Sequence, residues 1–445
     1  MRRTPAHIRQ MRSRLIVGGL VVLVGSALAM LGALDLNQRG ALWQHLYGVT
    51  GEEQPIRQLY GYIGYLGNLT RRLPEAATDI PTRHPVENPL GVNSFLELEP
   101  DPAKRERQMQ MIADAGIGWI RQKFTWQDIE IRGRGNFIDD RNDVTGDGVI
   151  DAIDAWAKYD HIVELAVRYD VNIIARLGTP PAWSQPPELA GTFAPPADVQ
   201  DFVNYARAVA ERYRGRVRHF QVWNEPNLGH EWGDQPVDPV AYTEMLCRTY
   251  DALKAVDPEI VVISGAIAPT IDLSGYNLNG FVYLQRMYDA GAGACFDVLG
   301  AQGYGLFSGP TDRRMHITTV NVNYPLWLRD LMVANGDAHK PIWIGEMAWN
   351  PVPTESEVPD IVARLAYGQV TDEQAARYAV EAYARAEAEW PFVGVICYWY
   401  FKRPDDSERG QSWFYFRMVD PDFSPRPVYD AIREYAARRR EARTR

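Results

Sequence analysis

Cysteine is scarce in this chain: 445 residues hold three, Cys247, Cys295 and Cys397, an odd number that is widely spaced and set within or beside apolar segments. That pattern excludes a disulfide framework of the small secreted type and shows no zinc spacing, so all three read as core thiols. A broad basic domain is missing as well. The formal net charge is -10, and the Lys and Arg residues are not gathered into one block, which argues against a nucleic-acid partner and leaves a neutral substrate easy to accommodate. No short internal repeat is visible, and no long all-β section. With 46% hydrophobic residues, disorder is not the default and a large single core is within reach.

One long apolar run does occur, at the N-terminus. Arg2, Arg3, Arg9, Arg12 and Arg14 precede the uncharged stretch Leu15 to Leu34. As a helix it would be about 30 Å long, enough to span a bilayer, with the arginines held in the cytoplasm. Residues 1–35 therefore read as a basic tip followed by a signal anchor. A signal peptide cleaved near Ala27-Leu28-Ala29 is the alternative, in which the chain is secreted. Either way the remainder is expected to be extracytoplasmic. Residues 36–87 read as a membrane-proximal connector with some helix, and residues 438–445 as a solvated basic tail.

From about Leu90 the pattern becomes regular. Short apolar or β-branched runs at Gly91–Phe95, Trp119–Phe124, Asn172–Arg176, His219–Trp223, Ile260–Ser264, Val298–Ala301, Ile342–Ile344 and Val393–Tyr398 read as strands. Amphipathic segments of helical period lie between them, among them Asp198–Tyr213, Pro239–Ala255 and Thr371–Glu389. Eight such alternations over residues 88–437 predict an α/β fold, a closed (β/α)8 TIM barrel.

Two glutamates stand at strand ends, where barrels of this kind keep their chemistry: Glu225 in Gln221-Val-Trp-Asn-Glu-Pro-Asn227 and Glu346 in Pro341-Ile-Trp-Ile-Gly-Glu-Met347. Two carboxylates on one rim are the minimum equipment for cleaving a glycosidic bond, one as acid and the other as nucleophile or base. Thirteen Trp and twenty-three Tyr exceed what a core requires, and sugar rings stack on aromatic faces, although core packing accounts for most of them.

The Trp223-Asn-Glu-Pro-Asn227 string after the fourth strand and the Ile342-Trp-Ile-Gly-Glu346 setting after the seventh resemble the clan A glycoside hydrolases. The Asn224-to-Trp232 segment and the Thr179-Pro-Pro-Ala-Trp183 turn look most like family 39 and related bacterial exopolysaccharide hydrolases. The resemblance implies a retaining hydrolase of β-linked oligo- or polysaccharide, with Glu225 as acid/base and Glu346 as nucleophile. It also implies substrate-site roles for Arg121 beside the nucleophile, Asn224 at the sugar 2-hydroxyl, Tyr304 as a donor to the nucleophile and Trp399 as an aromatic floor. Trp183 and Trp232 are further candidates for sugar contact. A transglycosylase and a non-catalytic carbohydrate-binding barrel are the rival readings. The chain departs from many relatives at His219-Phe220-Gln221 and at Gln302, which replaces a histidine two positions before Tyr304.

A second candidate site lies after the second strand. In Asp143-Val-Thr-Gly-Asp-Gly-Val-Ile-Asp-Ala-Ile-Asp154 the side chains of Asp143, Thr145, Asp147, Asp151 and Asp154, with the Val149 carbonyl, have the spacing of an EF-hand or dockerin-like calcium loop. The calcium would be structural. No cofactor is required for catalysis on this reading.

Overall fold

The computed structural model describes residues 23–143 and 146–444. Of these, the residues up to Arg72, together with Thr311–Met315, form one compact unit, and the remaining described residues form another.

In the smaller unit, residues 23–37 are helical, followed by α1 (Ala41–Thr50) and α2 (Pro55–Leu66). The first stops where Gly51 turns into the left-handed region at φ 65° and returns its N–H to the Tyr47 carbonyl. The second begins with Pro55 in its first turn, where a missing N–H removes no helical bond. Arg314 ties this unit together, pairing with Asp312 at 2.8 Å and Glu52 at 3.1 Å. The expected spanning segment Leu15 to Leu34 falls in part outside the described residues. Among the described residues no helix is long and apolar enough to cross a membrane. The described part of that segment nevertheless exposes Leu23, Leu28, Met30 and Leu31, each more than 60% accessible.

The larger unit is an eight-stranded parallel barrel. Its strands are β1 (Leu90–Ser94), β2 (Trp119–Thr125), β3 (Asn172–Gly178), β4 (His219–Val222), β5 (Val261–Ile263), β6 (Leu299–Gln302), β7 (Ile342–Met347) and β8 (Val393–Tyr398). They are ordered β5-β4-β3-β2-β1-β8-β7-β6, and isolated bridges from Ile263 to Val298 and from Ile267 to Ala301 join β5 to β6. After the eight strands come, in turn, α3 (Pro102–Asp114), α4 (Ala157–Arg168), α5 (Val199–Arg212), α6 (Pro239–Val256), α7 (Gly280–Asp289), α8 (Tyr324–Ala334), α9 (Asp372–Glu389) and α10 (Pro427–Thr444). Several helix starts are written locally. Asp101, Asp198, Asp238 and Asn279 accept from first-turn N–H groups, and Thr371 with Gln374 closes a capping box.

Alternation along the strands sorts what faces the barrel interior. Trp119, Ile174, Val261, Trp343 and Val395 meet in one apolar layer, with Trp119 and Trp343 edge to face at 5.1 Å. Two residues further along, the same alternation directs Asn93, Arg121, Arg176, Gln221 and Gly345 inward. One end of the barrel is therefore filled with apolar side chains and the other lined with polar ones.

The expectation of three core thiols needs correcting. Cys247 on α6 and Cys295 just before β6 form a disulfide, with Cα atoms 4.7 Å apart, and only Cys397 is a free, buried thiol. The two cysteines are 48 residues apart, and only the packing of α6 against the turn preceding β6 brings them together. For a loop of that length the chain-entropy model gives a stabilisation of about 4 kcal/mol. A Cys247→Ser/Cys295→Ser variant is thus expected to melt at clearly lower temperature than the oxidised protein, and to match the wild type under reductant. Identical melting curves in oxidising buffer would show that the crosslink stabilises nothing.

Candidate active site

Glu225 and Glu346 reach one cavity of about 520 Å3 at the polar end of the barrel, each by a local departure from strand geometry. After β4, Trp223 adopts φ 75°, a left-handed conformation that a non-glycine residue enters only at an energetic cost. Its indole N–H donates to the Glu231 carbonyl at 2.8 Å and its ring packs on Phe202 and Trp232, which holds the turn and delivers Asn224 and Glu225 to the cavity. In β7 the device is a bulge. Ala301 pairs with Ile344, but the next residue, Gln302, pairs with Glu346, so β7 carries one extra residue there; its register with β8 slips over the same stretch. Strict alternation would put Glu346 on the face opposite Trp343 and Gly345, towards the helices. The bulge re-aims it inward. A Cβ at Gly345 would lie 3.0 Å from Gln302 Oε1 and 3.4 Å from Arg121 Nε, so a larger residue there would crowd the Gln302 amide.

The surroundings of the two carboxylates differ. Glu346 accepts from Arg121 Nη1 at 2.8 Å and from the Tyr304 hydroxyl at 2.7 Å. Arg121 is buried, and three further N–H donors reach Gln221 Oε1 at 2.7 Å, Asn93 Oδ1 at 2.9 Å and Asn224 Oδ1 at 2.7 Å. Burial, and then the neighbouring Glu346, push the Tyr304 phenol well above its usual range, so it stays a donor. Among the described residues Glu225 has no cationic partner in contact. It accepts from Gln302 Nε2 at 3.0 Å, and burial first, then repulsion from Glu346 and Glu231, hold its carboxyl well above the usual carboxylate range. Glu346 is thus paired with an arginine, whereas the setting of Glu225 favours its protonated form.

Asn224 is oriented from both sides, accepting from Arg121 and donating through Nδ2 to Glu231 Oε1 at 2.8 Å. Trp399 lines the cavity together with Tyr367, Trp413 and Phe416, an aromatic wall facing the carboxylates. The structure therefore brings Arg121, Asn224, Glu225, Tyr304, Glu346 and Trp399 together around one space. Two other tryptophans lie elsewhere. Trp232 is buried against Trp223 and Tyr242, and Trp183 packs edge-on against Trp126 while donating to the Glu130 carbonyl at 2.7 Å. Neither is among the residues lining the 520 Å3 cavity, and Trp183 remains half-exposed.

In the expected calcium loop the described side chains have partners within the loop or on Arg212. The Asp143 carboxylate accepts from the N–H groups of Gly146 and Gly148 at 2.6 and 2.7 Å, closing the turn on itself. Asp147 accepts from the Val149 N–H at 2.9 Å, and the backbone N–H of Asp151 donates to the Asn142 carbonyl. Asp154 sits in a short ribbon pairing Ile138–Asp139 with Ile153–Asp154, where it accepts from the Trp156 N–H and pairs with Arg212 at 3.3 Å. Thr145 lies outside the described residues. Among the described residues no group of three or more His, Cys, Asp or Glu side chains is placed to hold a metal ion.

Sequence reasoning missed Asn93 and Gln221, which fix Arg121, Glu231, which fixes Asn224, and the pair Lys123 and Arg176. For Lys123 and Arg176 the signal was inward alternation counted from Trp119 and Ile174; Glu231, on a turn after β4, carried none.

The barrel shares its fold with solved glycoside hydrolases. Among solved structures the fold is similar to a family 39 glycoside hydrolase from Bacteroides cellulosilyticus WH2, with a TM-score of 0.56 and 19% identity over 82% of this chain. It is similar also to a family 39 β-xylosidase from Caulobacter crescentus, at 0.54 and 18% over 80%, and to a family 39 enzyme from Xanthomonas axonopodis pv. citri, at 0.51 and 17% over 83%. The chain spans 65% of the length of the first, 74% of the second and 71% of the third. No family model and no curated protein matches the sequence.

Proposed function

We propose that the protein is a retaining glycoside hydrolase that cleaves β-glycosidic bonds in an extracytoplasmic oligo- or polysaccharide. The observation that carries this reading is the asymmetric carboxyl pair: Glu346 held by Arg121 and Tyr304, Glu225 held as an acid by burial, both open to one aromatic-walled cavity. Glu346 attacks the anomeric carbon while the Glu225 proton passes to the departing oxygen, giving a glycosyl ester and free aglycone. Glu225, now a carboxylate, takes a proton from water, whose oxygen displaces Glu346 and regenerates both groups. Asn224, locked by Arg121 and Glu231, still has an N–H for the sugar 2-hydroxyl, a contact that strengthens as positive charge develops on the ring. Fold neighbours described as family 39 β-xylosidases support the same reaction class.

An extracytoplasmic setting is supported by the Cys247–Cys295 disulfide, which needs an oxidising compartment to persist. The exposed apolar face at Leu23, Leu28 and Leu31 supports anchoring through the N-terminal helix.

The test is turnover of a panel of aryl β-glycosides by the full chain, with proton NMR of the first-formed anomer. Release of the β-anomer with later mutarotation is expected; the α-anomer would replace retention with inversion, and no turnover on any member would remove the hydrolase reading. The pH profile adds a check. Glu225 acts in its protonated form and its pKa is raised, so kcat/KM should stay high through the range where ordinary carboxylates have ionised and fall as pH rises through the raised value. A basic limb in the normal carboxylate range would contradict the assignment.

A further inference from the structure

Beside the carboxylates, the cavity extends into a smaller recess of about 70 Å3 lined by Lys123, Arg176, Asn224 and Glu231, among others. Lys123 and Arg176 are register partners on adjacent strands, β2 and β3, and alternation turns both inward. Like charges set directly opposite one another in a sheet are destabilising, and burial adds to that. Burial and mutual repulsion push the lysine below its usual range, and burial followed by repulsion from Arg121 lowers the arginine.

Nothing in contact offsets this. Among the described residues, neither Lys123 Nζ nor the Arg176 guanidinium has an ion-pair or hydrogen-bond partner. The acids facing them are committed elsewhere: Glu97 to Gln122 Nε2 at 2.6 Å, Glu231 to Asn224, Asp128 to Arg141 and Lys158, and Glu346 to Arg121. If the two cations served only as counter-ions to those acids, they would be expected to touch them. Instead they face a space that shares Arg176, Asn224 and Glu231 with the main cavity.

Resting on the hydrolase reading above, we propose that the saccharide bound at Glu225 and Glu346 carries an anionic group, a uronate carboxylate or a sulfate ester, on the ring held there or the one adjoining it, which Lys123 and Arg176 bind in this recess. The planar guanidinium offers two parallel N–H donors to such a group and the ammonium a third, an arrangement that strengthens hydrogen bonds through charge. The recess opens beside Asn224, the residue before Glu225, so the anion lies next to the catalytic pair.

The test is calorimetric binding to the Glu346→Gln protein, which removes turnover and leaves Lys123 and Arg176 intact. Glucuronate and galacturonate are compared with glucose and galactose, glucose 6-sulfate forms a separate arm, and inorganic sulfate is a control. At least one acidic sugar is expected to bind about tenfold or more tighter than its neutral counterpart, as bonds to charged groups allow, and added salt should weaken it. In the Arg176→Gln and Lys123→Met backgrounds, checked for folding by thermal melts, the acid-to-neutral ratio should fall towards one. Preference confined to the uronates or to the sulfate ester identifies the source of the anion. Neutral sugars binding as tightly as acidic ones, or a ratio untouched by both substitutions, overturns the proposal. Binding is independent of hydrolysis, so failure on aryl glycosides would sink the hydrolase reading and leave this measurement standing.

Discussion

Glu346→Gln is expected to lower turnover by roughly 10^4-fold or more, the scale on which loss of a covalent nucleophile is felt, with the melting temperature almost unchanged. The amide oxygen still accepts from Arg121, and the amide N–H can donate to the Tyr304 oxygen, so the buried polar layer stays satisfied. What is lost is the ability to form an ester with the anomeric carbon. Intact-mass measurement should find a glycosyl adduct on the wild type with a slow substrate and none on the variant. Activity within tenfold of wild type would take the nucleophile role away from Glu346. A large drop in melting temperature would mean that the variant reports on folding instead, in which case the adduct measurement on the wild type decides.

The fold was readable because its signals are local. All eight strand segments expected from short apolar runs are barrel strands, and Asp198, Asp238 and Thr371 mark helix starts by residue type alone. What escaped was anything set by register or by contact at a distance. Alternation taken literally points Glu346 away from the cavity, and the bulge that corrects it appears only in the pairing of Gln302 with Glu346. Parallel pairing likewise puts Lys123 opposite Arg176, although 53 positions separate them in the chain. The Cys247–Cys295 bond is the same kind of fact, invisible in spacing and plain in packing. Trp183 and Trp232 show the converse, since residue type suits a sugar platform and a core equally well and only placement separates the two.

Glu225→Ala should show a dependence on leaving group that no structural defect would mimic. For a substrate whose aglycone departs as a basic alkoxide, removing the proton donor should cost about 10^2- to 10^4-fold in kcat/KM. With a dinitrophenyl aglycone, which leaves without protonation, the first step should be nearly as fast as in wild type. The second step then lacks its base, since Gln302 can hydrogen-bond but cannot exchange a proton. The glycosyl–Glu346 ester should accumulate, giving a burst of one equivalent of dinitrophenolate followed by a slow steady state. Azide, a nucleophile that needs no base, should speed that steady state and yield a glycosyl azide, and the basic limb of the pH profile should disappear with the carboxyl responsible for it. A variant equally impaired on both substrates, with no burst and an intact basic limb, would move the proton donor to another residue. Tyr304 would be a poor successor, because burial and Glu346 push its hydroxyl too high to give up a proton readily.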